Sequence, residues 1–367
     1  MMSNPLPILT LLLVGAGAVP TEAQLRRGPE RIVIHEAVAA AVHPSLDEQG
    51  REEQTDRQTR TLKLGTDGEL ALGNLAGDIT VTRGGGSEAT VEIVKTARGR
   101  TADEARELLE LVDVTVSERN GRAEVRAVFP RDDRGGANRR EGNGRSGDWR
   151  GEHRRNASVS VAYTVTAPAG TRLSVGSVSG SIKVAGIKGD LSISSVSGGV
   201  RIADAGRISG AKSVSGPVEI VDTEVDGGIE AQSVSGNVTL RNIKARRLEA
   251  GSVSGGVALH DVQCERVEAH SVSDSVEYAG SLARNGRYEL NSHSGGVRLV
   301  VAGSSGFELE ANSFSGSVRS GLPLSGEHRG DAARHGPGRR TLRGVHGDGS
   351  AVVSITTFSG NVVVSKR

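Results

Sequence analysis

The sequence predicts a mainly β protein: a parallel β-solenoid of about nine short coils, preceded by a small α/β capping segment with one helix. Three observations predict it. The tetrapeptide SVSG stands at 177–180, 195–198, 213–216, 233–236 and 252–255, followed by SVSD at 271–274, SHSG at 292–295, SFSG at 313–316 and TFSG at 357–360. Apolar-x-apolar triplets precede and follow the copies, the mark of half-buried strands. Glycine numbers 51 of 367 residues while aromatics make up only 2%, which suits a turn-rich body packed from small aliphatic side chains.

In chain order, residues 1–23 read as a signal peptide. The apolar run at 6–19 is followed by Thr21 and Ala23, which fit the small-residue rule for cleavage before Gln24. No cysteine follows the run to carry a lipid, and nothing later reads as transmembrane, so the mature chain is expected to be exported. Residues 24–60 read as a flexible polar leader, on the stretch EQGREEQTDRQTRT at 48–61, which alternates acids and bases with almost no apolar residue.

Residues 61–130 read as short strands, a helix and a hairpin. Thr101 and Glu104 are spaced as a capping box for a helix over 101–111, with Ala105, Leu108, Leu109 and Val112 as its apolar stripe. Asn120-Gly121 marks a hairpin turn. Residues 131–156 carry eight arginines against five acids and no apolar period, predicting a disordered Arg/Gly-rich insertion. If that insertion grips a partner, the contacts are Arg139, Arg140, Arg145, Trp149, Arg150, Arg154 and Arg155; otherwise it is a solvated loop.

Residues 157–367 carry the repeats. The second serine of each motif falls at Ser179, Ser197, Ser215, Ser235, Ser254, Ser273, Ser294 and Ser315, in steps of 18 to 21 residues. Ser359 lies two steps further on, which predicts a loop insertion at about 321–350. A fixed period of this length is a solenoid signature. The motif itself reads as a corner, with Ser179, Gly180, Ser197, Gly198, Ser215, Gly216, Ser235, Gly236, Ser254, Gly255, Ser294, Gly295, Ser315, Gly316, Ser359 and Gly360 as structural residues. Glycine permits positive φ or close approach at a sharp bend, and serine hydroxyls can satisfy backbone that leaves the ladder. Asp274 replaces one glycine, in keeping with a left-handed residue. Phe314 and Phe358 stand at the valine position and are expected in the core, as is the single Cys264.

The chemistry points away from catalysis. Nine equivalent serines without a paired base form no nucleophilic site, and GxSxG, HExxH, CxxC and Walker patterns are missing from the sequence. The outward column of the second strand, from Lys183, Arg201 and Glu219 to Arg298 and Arg319, is mixed in charge and forms no acidic cleft. His260 and His270 are the one pair that could meet on adjacent coils. The sequence offers no cofactor or metal site, and a net charge of +1 gives no pull toward nucleic acid.

The run at 163–184, YTVTAPAGTRLSVGSVSGSIKV, the SVSG coils after it and the closing VVSITTFSGNVVV together resemble the bacterial "putative adhesin" β-solenoid family. NLAGDITV, the helix and the hairpin match the usual entry into that domain. The resemblance covers 62–367. It implies an exported or envelope-associated domain of unknown function and carries no catalytic residues. The expected function is therefore a non-enzymatic protein of the periplasm or cell surface, a rigid scaffold that binds an envelope or extracellular partner. One alternative is a building block that self-associates end to end through its apolar C-terminal coil; another is a β-helix enzyme acting on polysaccharide.

Overall fold

The structure is a computed structural model, and it describes residues 45–46, 52–129, 158–331 and 340–367, all within one compact unit. The signal peptide, most of the leader and the Arg/Gly-rich insertion lie outside the described residues. Alternating strands do wind into coils as the sequence predicts. One parallel ladder runs through Arg172–Ser179, Asp190–Ser195, Arg207–Ser213 and Gly228–Ser233. A second runs through Ile182–Ala185, Val200–Ala203, Val218–Glu224 and the start of Val238–Ser252. Period-2 alternation sends Leu191, Ile193, Val200 and Ile202 inward, each at most 2% exposed. The columns of aliphatic side chains thus form one continuous core.

A second bend follows each second strand. Gly186, Asp204, Asp222, Asn242 and Asp261 occupy it with φ between 50° and 76°. Short polar side chains tolerate this left-handed geometry, and Asn242 Nδ2 donates to Asp222 Oδ1 at 2.8 Å. In the middle coils the chain then makes a third short parallel side, where Ile243, Lys244 and Ala245 pair with Val262, Gln263 and Cys264.

At the SVSG corner the first serine does the bonding. Ser233 Oγ accepts from the Gly236 N–H at 2.9 Å and donates to the Gly216 carbonyl of the preceding coil at 3.0 Å. Ser213, Ser252, Ser271 and Ser292 repeat the arrangement. The second serines, expected to serve here, are exposed, and their backbone N–H groups continue the ladder, as Ser235 does to the Val214 carbonyl at 2.8 Å. Among the corner glycines only Gly180 has positive φ. The rest are required by close approach: a Cβ on Gly216 would lie 2.2 Å from the Gly198 carbonyl oxygen. Asp274 is not left-handed either; its carboxylate accepts from the Ser275 N–H at 2.6 Å, and nothing in the structure explains how its Cβ is accommodated.

Both ends of the solenoid depart from chain order. The last coil, Ala351–Thr357 with Val362–Lys366, is inserted between the coil of 287–301 and that of Phe307–Ser313 with Val318–Ser320. The corner bonds follow space rather than sequence: Thr357 Oγ1 donates to the Gly295 carbonyl at 3.0 Å and Ser313 Oγ to the Gly360 carbonyl at 2.9 Å. The apolar C-terminal coil is therefore paired on both sides and offers no free edge for end-to-end association. Within the expected loop at 321–350, the strands Ser325–Asp331 and Arg340–His346 form a hairpin antiparallel to Phe307–Ser313, with Leu342 buried beneath it.

The N-terminal segment behaves likewise. Glu69–Ala76 and Ile79–Gly84 form a coil sandwiched between Arg172–Ser179 with Ile182–Ala185 and the outermost coil, Arg122–Val128 with Ser158–Pro168. Residues 52–60 are not leader but part of the strand Glu52–Lys63, antiparallel to Glu88–Gly99. Ion pairs such as Arg98–Glu53 at 2.8 Å hold its charged side chains, which is why composition alone mistook it. The helix Ala102–Leu111 starts at Thr101, whose Oγ1 accepts from the Glu104 N–H at 3.2 Å, and it buries Ala105 and Leu109. Asn120 and Gly121, both at positive φ, close the hairpin between Asp113–Arg119 and Arg122–Val128.

Thermal melts of three variants test the corner. Ser233→Ala strands a buried N–H and a buried carbonyl and is expected to cost about 2–4 kcal/mol. Gly216→Ala is expected to cost about 2–3 kcal/mol by overpacking. Ser235→Ala, altering an exposed side chain, should stay within about 0.5 kcal/mol. Equal losses at Ser233 and Ser235 would contradict the assignment.

Candidate functional site: the apolar corner stripe

Because the first serine of each motif points inward, the residue after it points outward. Val178, Val196, Val214, Val234, Val253 and Val272 stand on successive coils, each 42–46% exposed. Leu75 extends the column one coil toward the N-terminal end, in the register set by Asn74 opposite Ser177. At the other end come His293, Phe358 and Phe314, in that spatial order. Their rings stack, His293 on Phe358 at 5.0 Å and 12°, Phe358 on Phe314 at 4.7 Å and 7°. Phe314 and Phe358 are thus exposed at 44% and 46%, not core as expected, since the alternation that buries Ser313 and Thr357 turns them out. Ten rungs at about 4.8 Å make a stripe about 43 Å long.

One flank of the stripe is the column of exposed second serines. The other carries Ser194, Lys212, Gln232, Gly251 and His270, and between this column and the valines lies a shallow groove of about 490 Å³. Beyond it, Glu230, Glu249, Glu268 and Glu289 stand in register on successive coils. The second-strand column read in the sequence does not contain this acidic ladder. Basic groups interleave with it: Lys212 pairs with Glu230 at 2.6 Å, Arg247 with Glu249 at 3.4 Å. The Arg/Gly-rich insertion, with Arg139, Arg140, Arg145, Trp149, Arg150, Arg154 and Arg155, lies outside the described residues. The described residues on either side of it belong to Arg122–Val128, paired with Glu69–Ala76, and to Ser158–Pro168, whose first residue Ser158 pairs with Arg98.

The buried titratable groups are packing elements. Burial pushes the Cys264 thiol up to about 12 and the Tyr288 hydroxyl up to about 12, and raises Tyr278 and Tyr163 as well. Tyr278 and Tyr288 meet edge to face at 5.4 Å and direct their hydroxyls at backbone, Tyr288 to the Cys264 carbonyl at 2.6 Å. His260 and His270 do not meet: they sit on different sides of one coil, His260 opposite Arg241 and His270 opposite Gly251. Among the described residues no group of three or more His, Cys, Asp or Glu side chains is placed to hold a metal ion. No helix among them is long and apolar enough to cross a membrane.

Comparison with known proteins bears on the coils. Residues 230–365 match the Toastrack DUF4097 family. The match supports, over residues 230–365, the resemblance read from the SVSG motifs. Among solved structures, a "putative adhesin" from Parabacteroides distasonis ATCC 8503 is similar at 11% identity and a TM-score of 0.39, covering 85% of this chain and 97% of that one. A "putative adhesin" from Bacteroides fragilis NCTC 9343 gives 13% identity and 0.35 with the same coverage. A "putative cell adhesion protein" from Clostridium sporogenes ATCC 15579 gives 10% and 0.21, covering 85% and 100%. No curated protein matches.

The raised thiol and phenol set a pH dependence. Unfolded, Cys264 and Tyr288 titrate near 9.0 and 10.0; folded, both hold their protons to about 12. The unfolded chain therefore loses protons first, so their contribution to stability is full below about pH 9 and falls as pH climbs toward 12. Denaturant midpoints should drop between pH 8 and 10.5, and Cys264→Ala should reduce the drop. An unchanged drop in that variant would contradict burial of the thiol.

Proposed function

We propose that this chain is a non-enzymatic, exported protein of the cell envelope or surface, a rigid β-solenoid scaffold that binds its partner along the corner stripe. The observation that carries this reading is the stripe itself. The largest apolar patch on a soluble surface, a few hundred Å², often serves binding, and a solenoid holds this one straight and stiff. Each outward residue could be polar without any cost to the corner, because the first serine and the glycine make the coil-to-coil contacts. The ion pairs that engage Glu230 and Glu249 beside the stripe favour binding over polysaccharide chemistry. The signal-peptide reading of residues 1–23 supports export. The arginine-rich insertion is proposed as an auxiliary contact.

Co-sedimentation of the protein with isolated envelope fractions tests this. The double variant Val214→Lys/Val234→Lys should lose at least tenfold in bound fraction, and deletion of 131–156 should weaken binding mainly at low salt. Binding equal to wild type in the lysine variant would remove the stripe from the function.

A further inference from the structure

Which chemistry fits the stripe follows from its pitch. Resting on the reading of the stripe as the binding face, we infer that its occupant is a second copy of this chain, the two stripes packing side by side about a two-fold axis parallel to them, so that each rung faces its own copy. The geometry selects this occupant. Apolar knobs repeat here at the rung spacing of about 4.8 Å over ten coils. One face of an extended peptide repeats at about 6.7 Å, and the turns of an α-helix at about 5.4 Å. The extended peptide loses register after two or three rungs and the helix drifts by a full rung along the stripe. A stack of parallel coils of the same pitch stays in register throughout, and an identical chain supplies one.

Charge and shape agree. The stripe residues from Leu75 to Val272 carry no charge, and the second serines beside them are short and neutral. Two copies can therefore approach along these rungs without juxtaposing like charges; His293 is the one ionisable rung of the stripe, and Lys212, His270 and Asp274 stand beside it. The valine side chains keep 42–46% of their surface open, so each has apolar surface to bury against the partner's. A stripe about 43 Å long and about 10 Å wide presents on the order of 400 Å². Two such stripes together bury on the order of 800 Å², the small, weak class of interface, which fits association in the micromolar range. A two-fold contact is self-complementary and closes, so it yields a dimer rather than a fibre. The ends agree with a lateral contact, since the C-terminal coil is paired on both sides and the hairpin of 325–346 pairs along the strand beyond it.

Sedimentation equilibrium of the whole chain from low to high micromolar concentration tests the inference. The mass is expected to rise from monomer to dimer. Val214→Lys/Val234→Lys should raise the dimer dissociation constant at least 100-fold, tenfold for each substitution, with circular dichroism unchanged. Mixing that variant with Val214→Glu/Val234→Glu should restore a dimer that neither forms alone, a result that a folding defect would not give. A monomer at all concentrations overturns the inference. If the lysine variant of such a monomer still loses envelope binding, the stripe remains the binding face for a different partner. If it binds as wild type, the proposed function falls as well. A dimer unaffected by either pair of substitutions places the contact elsewhere and also overturns the inference.

Discussion

Successive coils come closest at the SVSG corner, where the backbone of one glycine lies so near the carbonyl of the previous one that a Cβ would fall 1.7–2.4 Å from it in coil after coil. From the coil of Ser213 onward that approach leaves an N–H and a carbonyl to satisfy, and one hydroxyl, of the first serine or of Thr357, serves both. It is small enough to sit inside the bend and can accept and donate at once. The rest of the structure depends on this bridge. With the first serine fixed inward, alternation fixes the residue after it outward and the aliphatic pair before it in the core. The corner that locks the coils together is therefore also the corner that displays the stripe.

The same bridge explains how the chain can abandon sequence order at both ends. Coil identity is set by the corner and by two alternating strands, so any coil fits beside any other. The coil of 351–366 can occupy the slot before that of 307–320, and the coil of 69–84 can lie beneath one formed by residues on either side of the insertion. The strand outside each intercalated coil is then closed by antiparallel pairing: Glu52–Lys63 and Glu88–Gly99 at one end, the hairpin of 325–346 at the other. Edges left open on a parallel stack would template further pairing.

Most of the fold was legible because a period of 18 to 21 residues with alternating triplets admits few other structures. The corner was legible as a corner, but its parity was not carried through. Leu173, Val175 and Ser177 are spaced by two, so the first serine had to face in and Val178 out. The same count turns out Phe314 and Phe358, whose aromatic character suggested burial. The left-handed column was visible as an Asp or Asn after several second strands, at Asp204, Asp222, Asn242 and Asp261, but these residues look like ordinary polar surface. The intercalated coils were not legible at all, because identical corners make neighbouring slots equivalent in local sequence. Residues 52–60 were misread since cross-strand ion pairs, not apolar burial, accompany their pairing.

Structural repetition and functional surface are thus one feature read from two sides. The serine and glycine of each motif serve the stack, and the residue between the serines is left free to serve contact. Amide hydrogen exchange at the corner glycines tests this division most directly. If the coil-to-coil bridge is part of the cooperative core, the Gly216, Gly236 and Gly255 amides should exchange only through global unfolding, as slowly as those of Val218 and Val238 in the neighbouring strands. Exchange of these corner amides at the rate of the open turn at Gly85 and Gly86 would contradict the account.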